Sequence, residues 1–105
     1  MGLPPKLSDA ERAAALRRAT EYRRRRAEFK ARIKEGKLSW IIALDSDDEA
    51  IKRMRIRELV AALPGFGEIR ADAVLERAGI SGQRRVQGLG KMQRESLEKI
   101  LKGRT

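Results

Sequence analysis

The sequence contains no cysteine and no histidine. These absences exclude disulfides, thiolate chemistry and the usual zinc sites, and they remove the commonest general base near neutral pH. Aromatic residues make up only 4 % of the chain, and they are not interleaved with basic residues as in proteins that stack single-stranded bases. We therefore expect no enzymatic activity, no cofactor and no small-molecule substrate.

Long apolar stretches are also missing. No run approaches the ~18 apolar residues that cross a membrane, and the N-terminal stretch MGLPPKLSDAERAA lacks the apolar core of a signal peptide. A cytoplasmic protein is the simplest interpretation. The acidic run at Asp45, Asp47, Asp48 and Glu49 lacks the glycine and the spacing of a calcium loop. We interpret this run as a helix-capping segment and expect no metal site.

What the chain has in excess is positive charge. Its 25 Lys and Arg residues outnumber its 15 Asp and Glu residues, which gives a net charge of +10. A strongly positive field attracts polyanions and speeds encounters with them. Nucleic acid is the first partner that this charge predicts, and an anionic membrane surface is the rival.

The length of 105 residues predicts one domain with a modest core. A first helix of about 27 residues is expected over 9–35, because Ser8 and Glu11 form a capping-box pattern and Gly36 is a C-terminal stop. Tyr22, Phe29 and Ile33 share one stripe of this helix. Its C-terminal half should therefore dock on the core while its N-terminal half projects into solvent.

The rest of the chain also favours helices. Helices are predicted within 38–44, anchored by Trp40 and Leu44, and at 49–54, 57–63, 68–78 and 91–101. Residues 80–90 form a connector, and no alternating strand pattern is present. In the last helix Met92, Leu97, Ile100 and Leu101 are expected to point inward. The prediction is an all-α protein divided into a tail and long basic helix, 1–37, and a compact helical domain, 38–105.

The stretch LPGFG, residues 63–67, is the most informative motif. Pro64 ends one helix, while Gly65 and Gly67 permit positive φ and remove Cβ atoms from the turn. The turn amides, together with the free amides of the helix that begins at Glu68, are then expected to point outward as an anion-binding nest, with Phe66 pointing inward. Phosphate is the matching anion.

This pattern continues through Ile69, Ala71 and Val74–Leu75 and resembles the helix-hairpin-helix motif, a sequence-independent binder of nucleic acid backbone. The following ERAGISGQRRVQGLG resembles its helix-two-turns-helix variant, found in ribosomal S13-type proteins and some DNA glycosylases. Together with the LPP start, the Arg/Ala-rich helix and KRMRI, the chain resembles the actinobacterial integration host factor family over nearly its full length. The resemblance implies a nucleoid-associated binder of duplex DNA that supports chromosome compaction and site-specific recombination.

The candidate DNA-binding residues surround the two glycine-rich turns, with Arg84 and Arg85 first among them because arginines bridge phosphates or enter a minor groove. Gln87 replaces the basic residue that the family usually carries there, and we expect it to weaken one contact. The acidic DSDDEA segment should face away from DNA. The full set is Gly65, Phe66, Gly67, Glu68, Arg70, Arg84, Arg85, Gln87, Gly88, Lys91, Arg53 and Arg55.

A second contact with DNA is a further hypothesis for the long helix, because one of its stripes carries basic residues without acids: Arg12, Arg23, Lys30 and Lys34. Double-stranded DNA is the predicted partner of a monomeric protein that does not bind membranes. Two alternatives stay open at this point. One is binding of structured RNA in the manner of S13-type proteins, and the other is a membrane-surface or protein-interaction module built on the basic helix.

Overall fold

A computed structural model describes residues 8–104. This part of the chain forms six α-helices and one 3₁₀ turn, and it contains no β-strand beyond a single antiparallel bridge between Arg55 and Arg85. The predicted all-α class is therefore confirmed. The helices are α1 (Asp9–Lys34), α2 (Ile41–Leu44), α3 (Glu49–Lys52), α4 (Ile56–Ala61), α5 (Glu68–Ala78) and α6 (Lys91–Ile100), with the 3₁₀ turn at Val86–Gly88 before α6.

Helix α1 begins as its capping box predicts. The Glu11 amide donates to Ser8 Oγ at 3.1 Å, and the Ser8 amide donates to Glu11 Oε1 at 3.0 Å. The helix ends one residue earlier than expected, with Gly36 just beyond it at a φ of 76°. Its buried residues, Phe29 and Ile33, both lie in the C-terminal half, so that half docks on the core as expected.

The core lies beneath the C-terminal half of α1 and between α4, α5 and α6. Trp40 is 1 % exposed and fills the space beside the short α2, as predicted for an anchor, whereas Leu44 is only half-buried. Helix α3 begins where Asp48 Oδ1 accepts the Ala50 amide at 2.9 Å. The larger fully buried side chains are Trp40, Ile33, Met54, Ile56, Leu59, Leu63, Leu75, Leu97, Leu101 and Val60.

One residue of α6 that was predicted to point inward is exposed. Leu97 and Leu101 are buried and Ile100 packs against the core, but Met92 is 76 % exposed. Five residues separate Met92 from Leu97, which places the two side chains about 140° apart around a helix of 3.6 residues per turn. Met92 therefore lies in the first turn of α6 on the solvent side.

The connector before α6 is held to the strip that precedes α4. The Ile56 amide donates to Arg84 O at 2.8 Å, and the Val86 amide donates to Met54 O at 2.9 Å. Ile56 and Val86 are both buried, so these bonds form over apolar side chains. The connector is thus fixed against the core at the start of α4. Within residues 8–104, no helix is both long and apolar enough to cross a bilayer.

Candidate nucleic-acid interface

The turn between α4 and α5 uses two glycines in the left-handed region. Gly65 has a φ of 75° and Gly67 a φ of 84°. Two turn amides are consumed within the fold, because Phe66 donates to Leu63 O at 3.0 Å and Gly67 donates to Ala61 O at 3.2 Å. The anion-binding nest therefore has fewer free amides than predicted, because these two amides hold the turn together and do not point outward.

The first turn of α5 supplies the free donors. Gly67 is its N-cap and has no side chain to cap the helix, and the first intrahelical bond from the Ala71 amide returns to Gly67 O at 3.1 Å. The amides of Glu68, Ile69 and Arg70 thus have no acceptor within the helix. They point along the positive end of the helix dipole, which favours an anion. The capacity to bind phosphate resides here.

Phe66 is half-buried against the core and does not lie fully inside as the sequence predicted. One face of its environment is basic, since the Arg70 guanidinium carbon lies 4.6 Å from the ring centroid. Arg70 also donates to Gly65 O at 3.3 Å. Arg70 is therefore held over the turn.

Three arginines at the other end of α4 are held by backbone carbonyls. Arg55 Nη1 donates to Gln83 O at 2.7 Å, Arg84 Nη1 to Gly88 O at 2.8 Å, and Arg85 Nη1 to Arg53 O at 2.9 Å. No carboxylate of residues 8–104 lies within ion-pair distance of any of them. A carbonyl orients a guanidinium without cancelling its charge, so this arginine cluster of Arg55, Arg84 and Arg85 presents its remaining donors to an anion.

The neighbours of the arginine cluster lie on its α6 side. Gly88 accepts the hydrogen bond from Arg84, and even a Cβ at this position would meet the Arg84 stem only in ordinary contact, at 3.6 Å. Gln87 is exposed within the 3₁₀ turn, and Lys91 is exposed at the start of α6. These residues extend the polar surface of the arginine cluster toward α6.

The two predicted turns lie toward the two ends of α4, and Arg55, Gln83 and Glu68 line one cavity between them. The Gly65–Gly67 turn follows the end of α4, and the arginine cluster gathers at its start, so the six residues of α4, about 9 Å of helix, separate them. The bridge between them is Arg57, which no sequence motif marked. The sequence could have indicated this role only through the position of Arg57 opposite Asp72 on the facing helix of the hairpin.

Arg57 contacts both sides of this gap. Its Nε donates to Asp72 Oδ1 at 2.6 Å and its Nη2 to Asp72 Oδ2 at 3.0 Å, and Nη2 also lies 3.7 Å from Glu68 Oε2. A Cβ on Gly82 would lie 3.3 Å from Arg57 Cβ, so the connector passes close to this side chain. The hydrogen bond from Arg57 lowers the pKa of Asp72.

Arg53 has a different environment from the arginine cluster. Its Nε pairs with Glu49 Oε2 at 3.2 Å, and its guanidinium carbon lies 5.7 Å from the Tyr22 ring. Hydrogen bonding from Lys52 comes first among the causes that lower the pKa of Glu49. Arg53 thus shares the carboxylate of Glu49 with Lys52, and its backbone carbonyl accepts a hydrogen bond from Arg85.

One residue of the basic stripe on α1 pairs with an acid from another helix. Lys30 Nζ pairs with Glu58 Oε1 on α4 at 3.1 Å. Burial raises the pKa of Glu58, but the hydrogen bonds from Lys30 and from the Arg55 amide outweigh it and the net pKa is lowered. Lys30 thus helps to fasten α1 to the domain, while Arg12, Arg23 and Lys34 are exposed.

The acidic DSDDEA segment is tied to two distant helices by ion pairs. Asp45 accepts two hydrogen bonds from Arg94, at 2.9 and 3.0 Å, and Asp48 lies 3.3 Å from Arg25. The hydrogen bonds from Arg94 lower the pKa of Asp45. Within residues 8–104 no three carboxylates converge where they could hold a metal ion. Asp48 and Asp45 therefore link this segment to α1 and α6, respectively.

Comparison with known proteins gives a consistent set of relatives. The S13-like H2TH domain family matches residues 31–100. The integration host factor of Streptomyces coelicolor is 45 % identical over 101 residues, which covers 94 % of each chain. That of Mycobacterium tuberculosis is 39 % identical over 95 residues, covering 89 % of this chain and 90 % of the relative.

A solved structure is similar as well. It is described as sIHF bound to an 8 bp palindromic DNA, and it superposes with a TM-score of 0.76 at 40 % sequence identity. The match covers 79 % of this chain and 96 % of that one. The fold that carries the two turns is thus similar to one that has been solved with DNA.

Proposed function

The chain belongs to the integration host factor family of Streptomyces and Mycobacterium, and we propose from this premise that it is a nucleoid-associated protein that binds duplex DNA. The observation that carries the proposal is the arginine cluster. Its three guanidiniums are positioned by carbonyls at 2.7 to 2.9 Å and retain their charge. A fold that holds three arginines in this way offers an uncompensated surface to a polyanion.

Binding would use two sets of donors at the two ends of α4. The free amides at Glu68, Ile69 and Arg70 receive one phosphate, and the arginine cluster contacts the backbone or the minor groove further along. Gln87, Gly88 and Lys91 border this second contact. Phosphate contacts position a protein but carry no base information, so sequence preference is slight.

Helix α1 supports a second DNA contact through Arg12, Arg23 and Lys34. Lys30 contributes little to this contact because Glu58 holds it. A protein that grips DNA with α1 and with the two turns bends the duplex or bridges two of them. This is the route by which we propose that the protein compacts the chromosome and supports site-specific recombination.

We propose a non-enzymatic cytoplasmic protein that is monomeric in solution and needs no cofactor or small-molecule substrate. We also keep the predicted division into residues 1–37, which contain the whole of α1, and residues 38–105, which carry the helix-two-turns-helix element.

One observation favours a second candidate, which is binding to structured RNA. The domain that matches residues 31–100 is described as S13-like, and the motif after α5 also resembles S13-type proteins. The free amides of α5 and the arginine cluster bind RNA phosphates as readily as DNA phosphates. The proposal for DNA rests on the integration host factor relatives, which match 89 to 94 % of this chain.

A matched titration separates the two. We would measure anisotropy of the full chain with a DNA duplex and an RNA duplex of the same mixed sequence, across roughly 50 to 200 mM salt. We expect tighter binding to DNA, with log K falling by ~0.9 per phosphate neutralised for each unit of log salt. Tighter binding to RNA would favour the second candidate. Binding to anionic vesicles without binding to either duplex would overturn both.

A further inference from the structure

The last described residues return to the turn between α4 and α5. Leu101 is 2 % exposed and anchors the end of α6 in the core. Beyond it, Gly103 adopts a φ of 84° and the Arg104 amide donates to Leu101 O at 2.9 Å. This reversal carries Arg104 to a shallow groove that it lines with Leu63, Pro64, Phe66 and Gly103.

Two arginines share one aromatic ring in that groove. The guanidinium carbon of Arg104 lies 5.8 Å from the Phe66 centroid, and that of Arg70 lies 4.6 Å from it. Both distances are within the ~6 Å of a cation–π contact. Because Phe66 packs against the core, the ring is a fixed platform that positions both guanidiniums beside the LPGFG turn.

Among the described residues, neither arginine has an acidic partner. No carboxylate of residues 8–104 lies within ion-pair distance of Arg70 or Arg104. The acceptor that Arg70 contacts is the neutral Gly65 carbonyl, at 3.3 Å. Two like charges near one ring repel each other, and an anion bound beside that ring relieves the repulsion while accepting charge-assisted hydrogen bonds.

We propose that Arg70 and Arg104 together bind a phosphate of the DNA backbone, in a contact distinct from the arginine cluster at the other end of α4. This inference rests on the proposed function and adds Arg104 to the interface. The proposed ligand is a phosphodiester because Phe66, Gly65 and Arg70 lie next to the start of α5. The free amides there also favour an anionic phosphate. A guanidinium offers a planar fork of donors that matches phosphate oxygens.

The test is Arg104→Ala, with Arg77→Ala as the charge-matched control. Arg77 lies exposed in the last turn of α5, and it too has no carboxylate partner among residues 8–104. We expect Arg104→Ala to lower the slope of log K against log salt by ~0.9 and to weaken duplex DNA binding roughly fivefold to tenfold at fixed salt. Arg77→Ala should leave the slope unchanged.

Two further variants report on the mechanism. Arg104→Lys keeps the charge and should retain most of the salt slope. Phe66→Leu keeps an apolar side chain in the turn but removes the ring face, so it should weaken binding without lowering helicity measured by circular dichroism. If Arg104→Ala and Arg77→Ala have the same affinity and the same slope, the proposed phosphate contact is wrong.

The same assay separates this proposal from the proposed function. Arg84→Ala with Arg85→Ala serves as the reference variant. If the wild-type chain does not bind duplex DNA, both proposals fail. If it binds, and the reference variant loses affinity while Arg104→Ala behaves as the control does, only the contact at Phe66 fails.

Discussion

Helix α1 and the connector before α6 are both rich in arginine, but the arginines with a defined partner in each region have partners of different kinds. In α1, Arg24 pairs with Glu21 and Glu28, and Arg25 pairs with Asp48. In the connector, Arg84 and Arg85 donate to backbone carbonyls. A carboxylate orients an arginine and cancels its charge, whereas a carbonyl only orients it. The formal charge of +10 is therefore not spread evenly over the surfaces that face solvent.

Arg57 shares a feature with the arginines of each region. It lies beside the connector, but its partners are the carboxylates of Asp72 and Glu68. Its role is to hold α4, α5 and the connector in register and to balance two acids that lie close to the start of α5. Some arginines thus present charge, while others organise the surface on which charge is presented.

The largest expected effect comes from removing the charge that the connector presents. Arg84→Ala with Arg85→Ala should weaken duplex DNA binding roughly tenfold per arginine and lower the salt slope by ~0.9 for each phosphate that is no longer neutralised. Anisotropy titrations measure both quantities. Arg77→Ala with Lys99→Ala removes the same charge from two exposed helix positions and is the control. Equal weakening in the two double variants would contradict the comparison.

The next effect concerns the turn itself. Gly67→Ala forces a Cβ into a φ of 84°, and Gly36→Ala does the same at 76° with equally open surroundings. Both should lower the free energy of unfolding in urea, Gly36→Ala by about 1 kcal/mol and Gly67→Ala by about 1–3 kcal/mol, because φ 84° with ψ 178° is a region that glycine alone occupies readily. Only Gly67→Ala should also weaken DNA binding, because only this turn presents the α5 amides. A loss of affinity in Gly36→Ala of the same size would refute that assignment.

A smaller effect is expected at Arg57. Arg57→Ala leaves Glu68 and Asp72 unbalanced beside the proposed phosphate site, so DNA affinity should fall severalfold while the salt slope stays the same. Adding Glu68→Gln and Asp72→Asn to this variant should restore affinity, because the repelling charges are gone. A lowered slope with no rescue would mean that Arg57 itself contacts phosphate.

The ion pairs of Asp45 and Asp72 should also affect how the melting temperature falls at acid pH. The folded-state pKa values of Asp45 and Asp72 are lowered, first by hydrogen bonds from Arg94 and Arg57. Their stabilising contribution is therefore present above the unfolded pKa, near 3.9, and is lost as the pH falls through the lower folded values. Melting temperatures recorded from about pH 6 to pH 2 should fall less steeply in Asp45→Asn with Asp72→Asn. An unchanged acid limb would show that these pairs do not contribute.

The smallest effect on stability is expected in α1. Glu21→Gln with Glu28→Gln removes exposed pairs, and pairs of this kind contribute little because water and salt screen them. The melting temperature should hardly change, but two acids disappear from α1. If α1 forms the second DNA contact, DNA affinity should rise. Unchanged affinity in this variant would remove the support for that contact.

Local patterns in the sequence predicted most of the helices well. The boundaries of α5 coincide with the predicted 68–78, because Gly67 and Gly79 mark its ends, and the capping box located the start of α1. The short helices between Trp40 and Leu63 were harder, since they have only four to six residues and depend on packing. Met92 was misplaced because an apolar residue in a first helical turn need not face the core.

The candidate site was predicted in its composition but not in its layout. The positive φ of Gly65 and Gly67 and the presence of Arg84 and Arg85 follow from residue types in the right order. The closing of the hairpin places the two turns at opposite ends of α4. It also lets the Phe66 and Gly67 amides donate to the Leu63 and Ala61 carbonyls. Neither feature could be predicted from residue types alone. Arg57 and Arg104 were missed for the same reason.

The sequence by itself determined the all-α class, the ends of the long helix, the glycine turn and the excess of positive charge, because these depend on residues within a few positions of one another. Only the tertiary structure decided which arginines keep that charge available. Arg57 and Asp72 are 15 residues apart, and Arg94 and Asp45 are 49 apart. Whether an arginine meets a carboxylate, a carbonyl or an aromatic ring is settled by packing between distant segments.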